Sequence, residues 1–368
     1  MVRAVNIAPA ILKKYSLCSR CLARQSSRKI SRNVNKAKDE CYICNGLMNK
    51  INELLELTLT SIKEYKYETF LIGAALPSNM LEHEDEIRAS FKIKGAENVK
   101  SYLTKELGKR LSRETGKRVD YKLPDVTIKI DPVKNDITVR ARPVFLFGRY
   151  LKRTRGLNQK QERCSICMGK GCSQCNNTGL SGFDSIEGII VRKLIDSLKC
   201  ESAKFSWVGG EDKDSLVLNK GRPFFVKVIN PKLRFVKPRS VTKDGVQVKF
   251  LKRVERLPDK PLKFSIRVKL LIECECEITN AFLQKLNNLT NMSVRFTGKH
   301  GKEMIKNIYK INAKLSKGAL TILMVMDGGL SLKHFVGGDG MVPNISQIIG
   351  CKTKCTYFDI LNVNFTDR

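Results

Sequence analysis

Trp207-Val-Gly-Gly-Glu-Asp212-Lys-Asp-Ser-Leu-Val-Leu-Asn-Lys-Gly221-Arg-Pro-Phe224 sets one acidic turn between two apolar runs. Phe205-Ser-Trp-Val ahead of the turn, and Leu216-Val-Leu and Phe224-Phe-Val-Lys-Val-Ile behind it, are rich in aromatic and β-branched residues and are predicted to be strands separated by turns. An Asp after Gly-Gly is common in turns because its carboxylate caps nearby backbone N–H groups, so on the residues alone Asp212 reads as a turn former. The functional alternative is a carboxylate at the floor of an electropositive groove. Just upstream, Asp184 and Glu187 form a capping box for a helix with Ile186, Ile190, Leu194 and Leu198 on its apolar side. Downstream, Phe264, Ile266, Val268, Leu270, Ile272, Cys274 and Cys276 alternate with Ser265, Arg267, Lys269, Glu273 and Glu275, the pattern of an antiparallel sheet covered on one face. Residues 181–368 are therefore predicted to form one α+β domain.

Cys164-Ser-Ile-Cys167-Met-Gly-Lys-Gly-Cys172-Ser-Gln-Cys175 precedes that domain and puts four thiolates within twelve residues. Gly169 and Gly171 can supply the tight turn that folds one pair onto the other, and the spacing is that of a zinc knuckle. We expect it to brace a domain junction across residues 159–180, with RNA contact as a secondary role. A second set, Cys18-Ser-Arg-Cys21 and Cys41-Tyr-Ile-Cys44, spaced by nineteen residues, predicts a structural zinc module in residues 1–50. A redox pair needs only one CxxC in a βαβ setting, which neither set has. Thirteen cysteines in 368 residues are too few for a disulfide scaffold, and with eight of them in CxxC pairs they point to metal in a reducing, cytoplasmic compartment.

Between the cysteine sets, residues 51–158 read as a compact α/β module. Val99, Leu103, Leu107 and Leu111 recur at helical spacing before Gly116, and a strand-like Phe70-Leu-Ile-Gly-Ala interrupts the helical pattern. Val126/Ile128/Ile130 and Ile137/Val139/Ala141 flank Lys134-Asn-Asp136 as a hairpin. The module ends in Phe147-Gly-Arg-Tyr-Leu-Lys-Arg-Thr-Arg-Gly156, where basic, aromatic and glycine residues interleave; a solvated loop and an RNA contact are equally supported there.

With 68 Lys and Arg against 36 Asp and Glu, the formal net charge is +32, which calls for a polyanionic partner. An anionic membrane is excluded as a spanned partner, since no apolar run approaches the roughly 18 residues needed, and Met1–Lys14 is too short and too quickly charged for a signal peptide. Nucleic acid remains. The basic residues concentrate in the first fifty positions, around Arg149 to Arg163, and beyond Lys232. No GxxxxGK[ST] loop and no GxGxxG fingerprint occurs, and three histidines give little support to a histidine base. Gly337-Gly-Asp-Gly340 reads as a surface turn rather than a phosphate cradle.

Gly209-Gly-Glu-Asp212, followed by Gly221-Arg-Pro-Phe224, resembles the catalytic segment of the archaeal and eukaryotic pseudouridine synthase family that modifies the T-loop of tRNA. Gly328-Gly-Leu-x-x-Lys333-x-Phe-Val-x-Gly-Asp339 with Pro343-Asn is similar to that family's second active-site segment. The two cysteine sets resemble its zinc-binding elements, and Phe147-Gly-Arg-Tyr-x-Lys with Arg155-Gly resembles the end of its THUMP-type RNA-binding domain, so the likeness spans nearly the whole chain. It implies an α+β architecture: an N-terminal zinc and THUMP-like RNA-binding region, then a pseudouridine synthase-type mixed, largely antiparallel sheet with flanking helices. It also implies isomerisation of T-loop uridine in tRNA, with Asp212 as nucleophile, substrate contacts from Arg222, Val268, Ser331 and Lys333, structural zinc, no organic cofactor and no protein partner. The chain departs from the family pattern at Gly210, where the family has Arg, and at Val268 and Ser331, where it has tyrosines; an Arg expected after Asp339 is also missing. These departures sustain an alternative, a catalytically inactive tRNA-binding or RNA-folding protein derived from the family. A THUMP-bearing thiolase or methyltransferase is disfavoured because neither an SGGxDS loop nor GxGxxG is present.

Overall fold

The computed structural model describes residues 7–26, 40–235, 241–243, 245–298, 301–316 and 319–365; the start of the Met1–Lys14 segment and part of the basic stretch beyond Lys232 lie outside them. The chain divides into two compact units, Met1–Arg142 with Lys232–Arg234, and Pro143–Pro231 with Phe235–Arg368.

The first unit contains α1 (Ala8–Lys14), α2 (Ser19–Gln25), α3 (Ile51–Ile62), β1 (Thr69–Ala74), α4 (Ser78–Ser90), α5 (Val99–Thr115), β2 (Arg118–Val119), β3 (Val126–Asp131) and β4 (Asp136–Ala141). Its sheet runs β2-β1-β3-β4, with β1 parallel to both neighbours and β3–β4 the expected hairpin. Helix α5 forms where the sequence demands it. The Asn98 side chain accepts from Ser101 N at 2.7 Å, Gly116 closes the helix at φ 68°, and Val99, Leu103, Leu107 and Leu111 are fully buried between them. Each such side chain contributes about 2 kcal/mol by leaving water. Cys18, Cys21, Cys41 and Cys44 belong to the same continuous core as Leu54, Leu103 and Ile128, so the described residues before 51 share one interior with 51–142. At its centre Arg24 pairs with Glu84, both out of solvent, and Glu84 also accepts from Gln25 Nε2 at 2.8 Å and Val99 N at 2.9 Å. A buried ion pair is tolerable only when its remaining lone pairs find donors in this way.

The second unit contains β5 (Val144–Lys152), α6 (Ile186–Leu198), β6 (Ser202–Trp207), β7 (Val217–Ile229), β8 (Val241–Lys243), β9 (Val246–Val254), β10 (Phe264–Cys274), α7 (Asn280–Asn287), β11 (Met292–Thr297), β12 (Glu303–Ser316), β13 (Ala319–Asp327), α8 (Leu332–Gly337), β14 (Met341–Val342), α9 (Ile345–Ile349) and β15 (Thr353–Phe365). Among the described residues these strands make one mixed sheet in the order β14-β11-β12-β13-β10-β15-β7-β5-β9-β8, with β6 on β7. All pairings are antiparallel except β15 with β7. The expected α+β class and largely antiparallel sheet are thus present.

Four local expectations shift. Residues 143–158 were expected to end the first module, but β5 is an interior strand of the large sheet, paired with β7 and β9. Its alternating burial is hidden in sequence because Arg149 and Lys152 interrupt an otherwise apolar run. The two strands expected at Leu216 and Phe224 are one, β7, which Gly221 carries through at φ 72°. Helix α6 is capped by Ser185, whose hydroxyl accepts from Gly188 N at 3.0 Å; Asp184 instead accepts from Gln161. Finally, β10 ends at Cys274, and Cys276 forms a disulfide with Cys351, a pairing the cysteine spacing did not suggest.

Candidate active site

The Gly-Gly-Glu-Asp turn follows β6, and the two carboxylate oxygens of Asp212 have different partners. One carboxylate oxygen accepts from Asp214 N at 3.2 Å, which is the turn-capping role. The other meets Lys333 Nζ at 2.5 Å. Lys333 sits in the first turn of α8, just after Ser331 at the N-cap. The Lys333 hydrogen bond holds the Asp212 carboxyl below its ordinary range, outweighing the opposing effect of partial burial, and Asp212 in turn raises Lys333. Asp212 is therefore an ionised carboxylate with one face on an ammonium.

Beneath the turn lies a dry polar network that the sequence reading missed. The Glu211 side chain is fully buried and its carboxylate meets Tyr150 OH at 2.8 Å, Lys152 Nζ at 3.3 Å and Arg222 Nε at 3.3 Å. Gln159 Nε2 donates to Tyr150 OH at 2.9 Å and to Gly209 O at 3.2 Å. Complete burial pushes the Tyr150 phenol well above its usual range, so it acts as a neutral donor to Glu211. Arg155 forks onto Asp359 at 2.7 and 3.0 Å, lies 4.0 Å over the Tyr357 ring, and Asp359 also accepts from Leu216 N at 3.0 Å. Arg149 donates to Gly221 O at 2.8 Å and Val363 O at 3.1 Å. Three of the four cations of the Phe147–Gly156 stretch, read as either a loop or an RNA contact, here brace the strands around the acidic turn: Arg149, Lys152 and Arg155.

Above the turn a cleft of about 410 Å³ opens, with Asp212 and Lys333 on its polar side and Phe264, Ile266, Leu330 and Phe358 on its apolar side. The Phe264 ring is wedged between the two segments that resemble active-site motifs. A Cβ at Gly209 would come within 2.7 Å of that ring, and one at Gly328 within 2.1 Å, so both glycines are needed where the ring sits. Of the residues expected to touch substrate, Ser331 and Lys333 line the cleft. Arg222 lines it too, yet its guanidinium is engaged with Val208 O at 2.7 Å and with Glu211. Val268 does not line it; this residue is fully buried in the sheet core. On the same face of β10, the chain leaves the core two residues earlier, so Ile266 and Phe264 occupy the wall expected at Val268. Neither Tyr309, whose OH donates to Asp327 Oδ1 at 2.7 Å, nor the fully buried Phe335 is among the residues lining the cleft. His334 lines the cleft and had carried no sequence signal.

The first unit carries a separate groove of about 620 Å³ beside α5, bordered by Lys105, Lys109, Arg118 and the exposed Tyr121.

Each four-cysteine set brings its sulfurs within 4.8 Å of one another. Individual separations are 3.8 Å for Cys18–Cys44, 4.0 Å for Cys164–Cys172, 3.8 Å for Cys167–Cys175 and 3.7 Å for Cys172–Cys175. A tetrahedral zinc with arms of about 2.3 Å requires sulfur–sulfur edges of about 3.8 Å, so both sets fit. Gly171 N and Gly179 N point at Cys167 and Cys175 sulfurs at 3.2 and 3.3 Å, and Arg24 Nη2 at Cys21 sulfur at 3.3 Å. Four thiolates around a dication leave a net negative charge that such donors offset. Both sets can hold a metal ion.

Residues 145–364 match the family model described as Pus10, C-terminal, and residues 55–131 match the one described as Pus10 THUMP domain, archaeal. The C-terminal match begins one residue into β5, in keeping with the division near Arg142. Three archaeal relatives bear the name tRNA pseudouridine synthase Pus10. The one from Nitrosopumilus maritimus is 38% identical and covers 98% of each chain. That from Cenarchaeum symbiosum is 33% identical over 94% of this chain and 89% of its own. That from Methanocaldococcus jannaschii is 31% identical over 89% and 76%. With well over half its length in the C-terminal match and full-length relatives at this identity, the chain belongs to the Pus10 family.

Proposed function

We propose that the chain is a tRNA pseudouridine synthase that isomerises T-loop uridine (uridine 54, 55 or both) through Asp212, with no organic cofactor. The observation that carries this reading is the ionised Asp212 carboxylate, paired with Lys333 at the mouth of a part-apolar cleft. The reaction breaks the N1–C1′ bond, turns the uracil and joins C5 to C1′; C5 gives up its proton and N1 gains one, so atoms balance without an external reactant. An anionic carboxylate suits the sugar carbon because it can attack or stabilise charge there and later leave. Phe264, Ile266 and Phe358 supply the apolar surface against which a uracil ring is held away from water. The uridine must first leave its stack, at a cost of a few kcal/mol, which contacts from basic surfaces such as the Lys105, Lys109 and Arg118 groove would help to offset. We assign zinc to both cysteine sets as a structural ion.

The test is incubation of purified protein with unmodified tRNA, followed by carbodiimide primer extension. A reverse-transcription stop at a T-loop uridine is expected. One observation favours a second reading: among the described residues no tyrosine lines the cleft, so a non-catalytic tRNA-binding protein is the alternative. Protein that binds tRNA yet forms no pseudouridine anywhere would select it.

Lys333 offers a pH-resolved check. Activity requires ionised Asp212 and is lost as pH falls through its pKa, which Lys333 holds down. In Lys333→Met the carboxylate loses that partner, its pKa rises, and the acid limb of the rate profile moves to higher pH. At neutral pH the single-turnover rate should fall on the order of 10²-fold, as for loss of one preorganised charge partner. An unmoved acid limb would remove Lys333 from this role.

A further inference from the structure

We propose that Lys152 is a positioning residue that fixes the backbone just after the Asp212 side chain and pairs with the Glu211 carboxylate just before it, so that β5, outside both active-site segments, sets the aim of the nucleophile. This inference rests on the reading of Asp212 given above. Lys152 lies on β5 with its side chain entirely out of solvent. Its ammonium donates its three protons to Leu157 O at 3.0 Å, Asp212 O at 3.0 Å and Lys213 O at 3.1 Å, and Glu211 Oε1 lies 3.3 Å away as an ion pair. Three of these belong to the consecutive residues 211–213. The group is saturated, so it has no donor left for a phosphate or a base.

Burying an ammonium costs several kcal/mol unless it is paired and hydrogen-bonded, and an apolar side chain of similar length would fill the same space without that cost. What the amine adds is direction. Carbonyls 212 and 213 are both drawn to one point, which fixes the peptide that leaves Asp212 and so limits the directions open to its side chain, which meets Lys333 at the cleft. Glu211 completes the clamp. Its second oxygen is taken by Tyr150 from the same strand and by Arg222 from β7, so the turn is held by side chains of two neighbouring strands. The charged and titratable groups facing Asp212 are Lys333 on α8, Lys152 on β5 and the Cys355 thiol on β15, and the Lys152 charge favours the ionised carboxylate.

The experiment uses the full chain and unmodified tRNA, comparing wild type, Lys152→Met and Lys152→Arg. For Lys152→Met we expect a single-turnover rate at saturating tRNA lower by roughly 10²-fold, the effect of a displacement of about 1 Å at a reacting group. The tRNA Kd should stay within about twofold, and the acid limb of the rate should move to higher pH. Lys152→Arg restores charge but cannot reproduce the three-carbonyl geometry; its acid limb should stay near that of the wild type while its rate remains low. A weakened Kd with an unchanged saturating rate would overturn the proposal in favour of an RNA contact. A lowered Tm with unchanged rate and pH profile would overturn it in favour of simple packing. Should Lys152→Met fail to fold, Tyr150→Phe removes one hydroxyl from the same clamp, and an unchanged saturating rate in that variant would also refute the idea. Inactive wild type would overturn the reading of Asp212 and the role of Lys152 together, whereas active wild type with an unaffected Lys152→Met overturns the role alone.

Discussion

Asp212→Asn is expected to lower the single-turnover rate of pseudouridine formation by about 10⁴-fold or more, the scale seen when a nucleophile is removed from a preorganised site, while tRNA binding is kept. Asparagine is nearly isosteric. Its carbonyl oxygen can still accept from Asp214 N, the contact that shapes the turn, and the Glu211 clamp below is untouched. The lost partner of Lys333 matters little for stability, since that ammonium is half exposed and water can take over its solvation. Tm should therefore change by no more than a few degrees, and a Kd from filter binding should stay within about twofold. Chemistry is what disappears, because a neutral amide cannot attack the sugar carbon and leave again. Among the described residues one other carboxylate lines the cleft, Glu211, whose side chain is out of solvent, accepts from Tyr150 and is ion-paired with Lys152 and Arg222. Asp212→Asn retaining more than about a tenth of the wild-type rate would therefore displace the nucleophile assignment altogether.

The ease with which parts of this fold are read from sequence follows how local their causes are. Helix α5 declares itself because its cap, its apolar stripe and its terminating glycine lie within twenty residues of one another. The β3–β4 hairpin does so for the same reason, its register Val126↔Ala141 and Ile130↔Ile137 following from alternation about a short turn. Each cysteine set is legible because metal spacing is itself a local pattern. By contrast, nothing near Glu211 marks it as buried. Its partners Tyr150 and Lys152 are about sixty positions upstream, on a strand whose own alternation is obscured by the cations that make the contact. Long-range ion pairing thus hid two things at once, the strand identity of β5 and the support beneath Asp212. Arg222 is a related case: an arginine beside a nucleophile reads as a substrate contact, and only the tertiary structure shows its fork turned inward to Val208 and Glu211.

The Val268 expectation failed for a different reason. Alternation gives which face a residue occupies but not where along the strand that face passes from core to cleft. Val268, Leu270 and Ile272 are fully buried, and the same row reaches the cleft only at Ile266 and Phe264. The position of that transition is set by Gly328 and Gly209, from two other segments, which leave room for the Phe264 ring.

The other large effect should come from the N-terminal cysteine set. Cys21→Ser is expected to release one zinc per chain and to unfold the first unit, chelation to release both zinc ions with the same unfolding, whereas Cys167→Ser should release only the other zinc and leave both units folded. The argument rests on burial. Cys18, Cys21, Cys41 and Cys44 are 5, 0, 3 and 0% exposed and are continuous with the core formed by α3, α5 and the β3–β4 hairpin. Arg24 is held between the Cys21 sulfur and Glu84, so without the metal's thiolates a buried guanidinium loses one of its partners inside that core. A structural zinc site contributes about 10–16 kcal/mol in apparent binding free energy, more than or comparable to the roughly 5–15 kcal/mol that separates a domain from its unfolded state. The knuckle at Cys164–Cys175 differs in kind. Three of its cysteines are partly exposed, and its Ile166 and Met168 already stand 68 and 76% in solvent, so little apolar surface is uncovered when it opens. Metal content by plasma mass spectrometry should read two zinc per wild-type chain and one for each variant. Hydrogen exchange followed by mass spectrometry should show amides of α3 and α5 exchanging freely in Cys21→Ser, with β10 and β13 still protected. Full protection of α5 in metal-free protein would mean that the apolar core alone holds the first unit, and that the four thiolates are not what closes it.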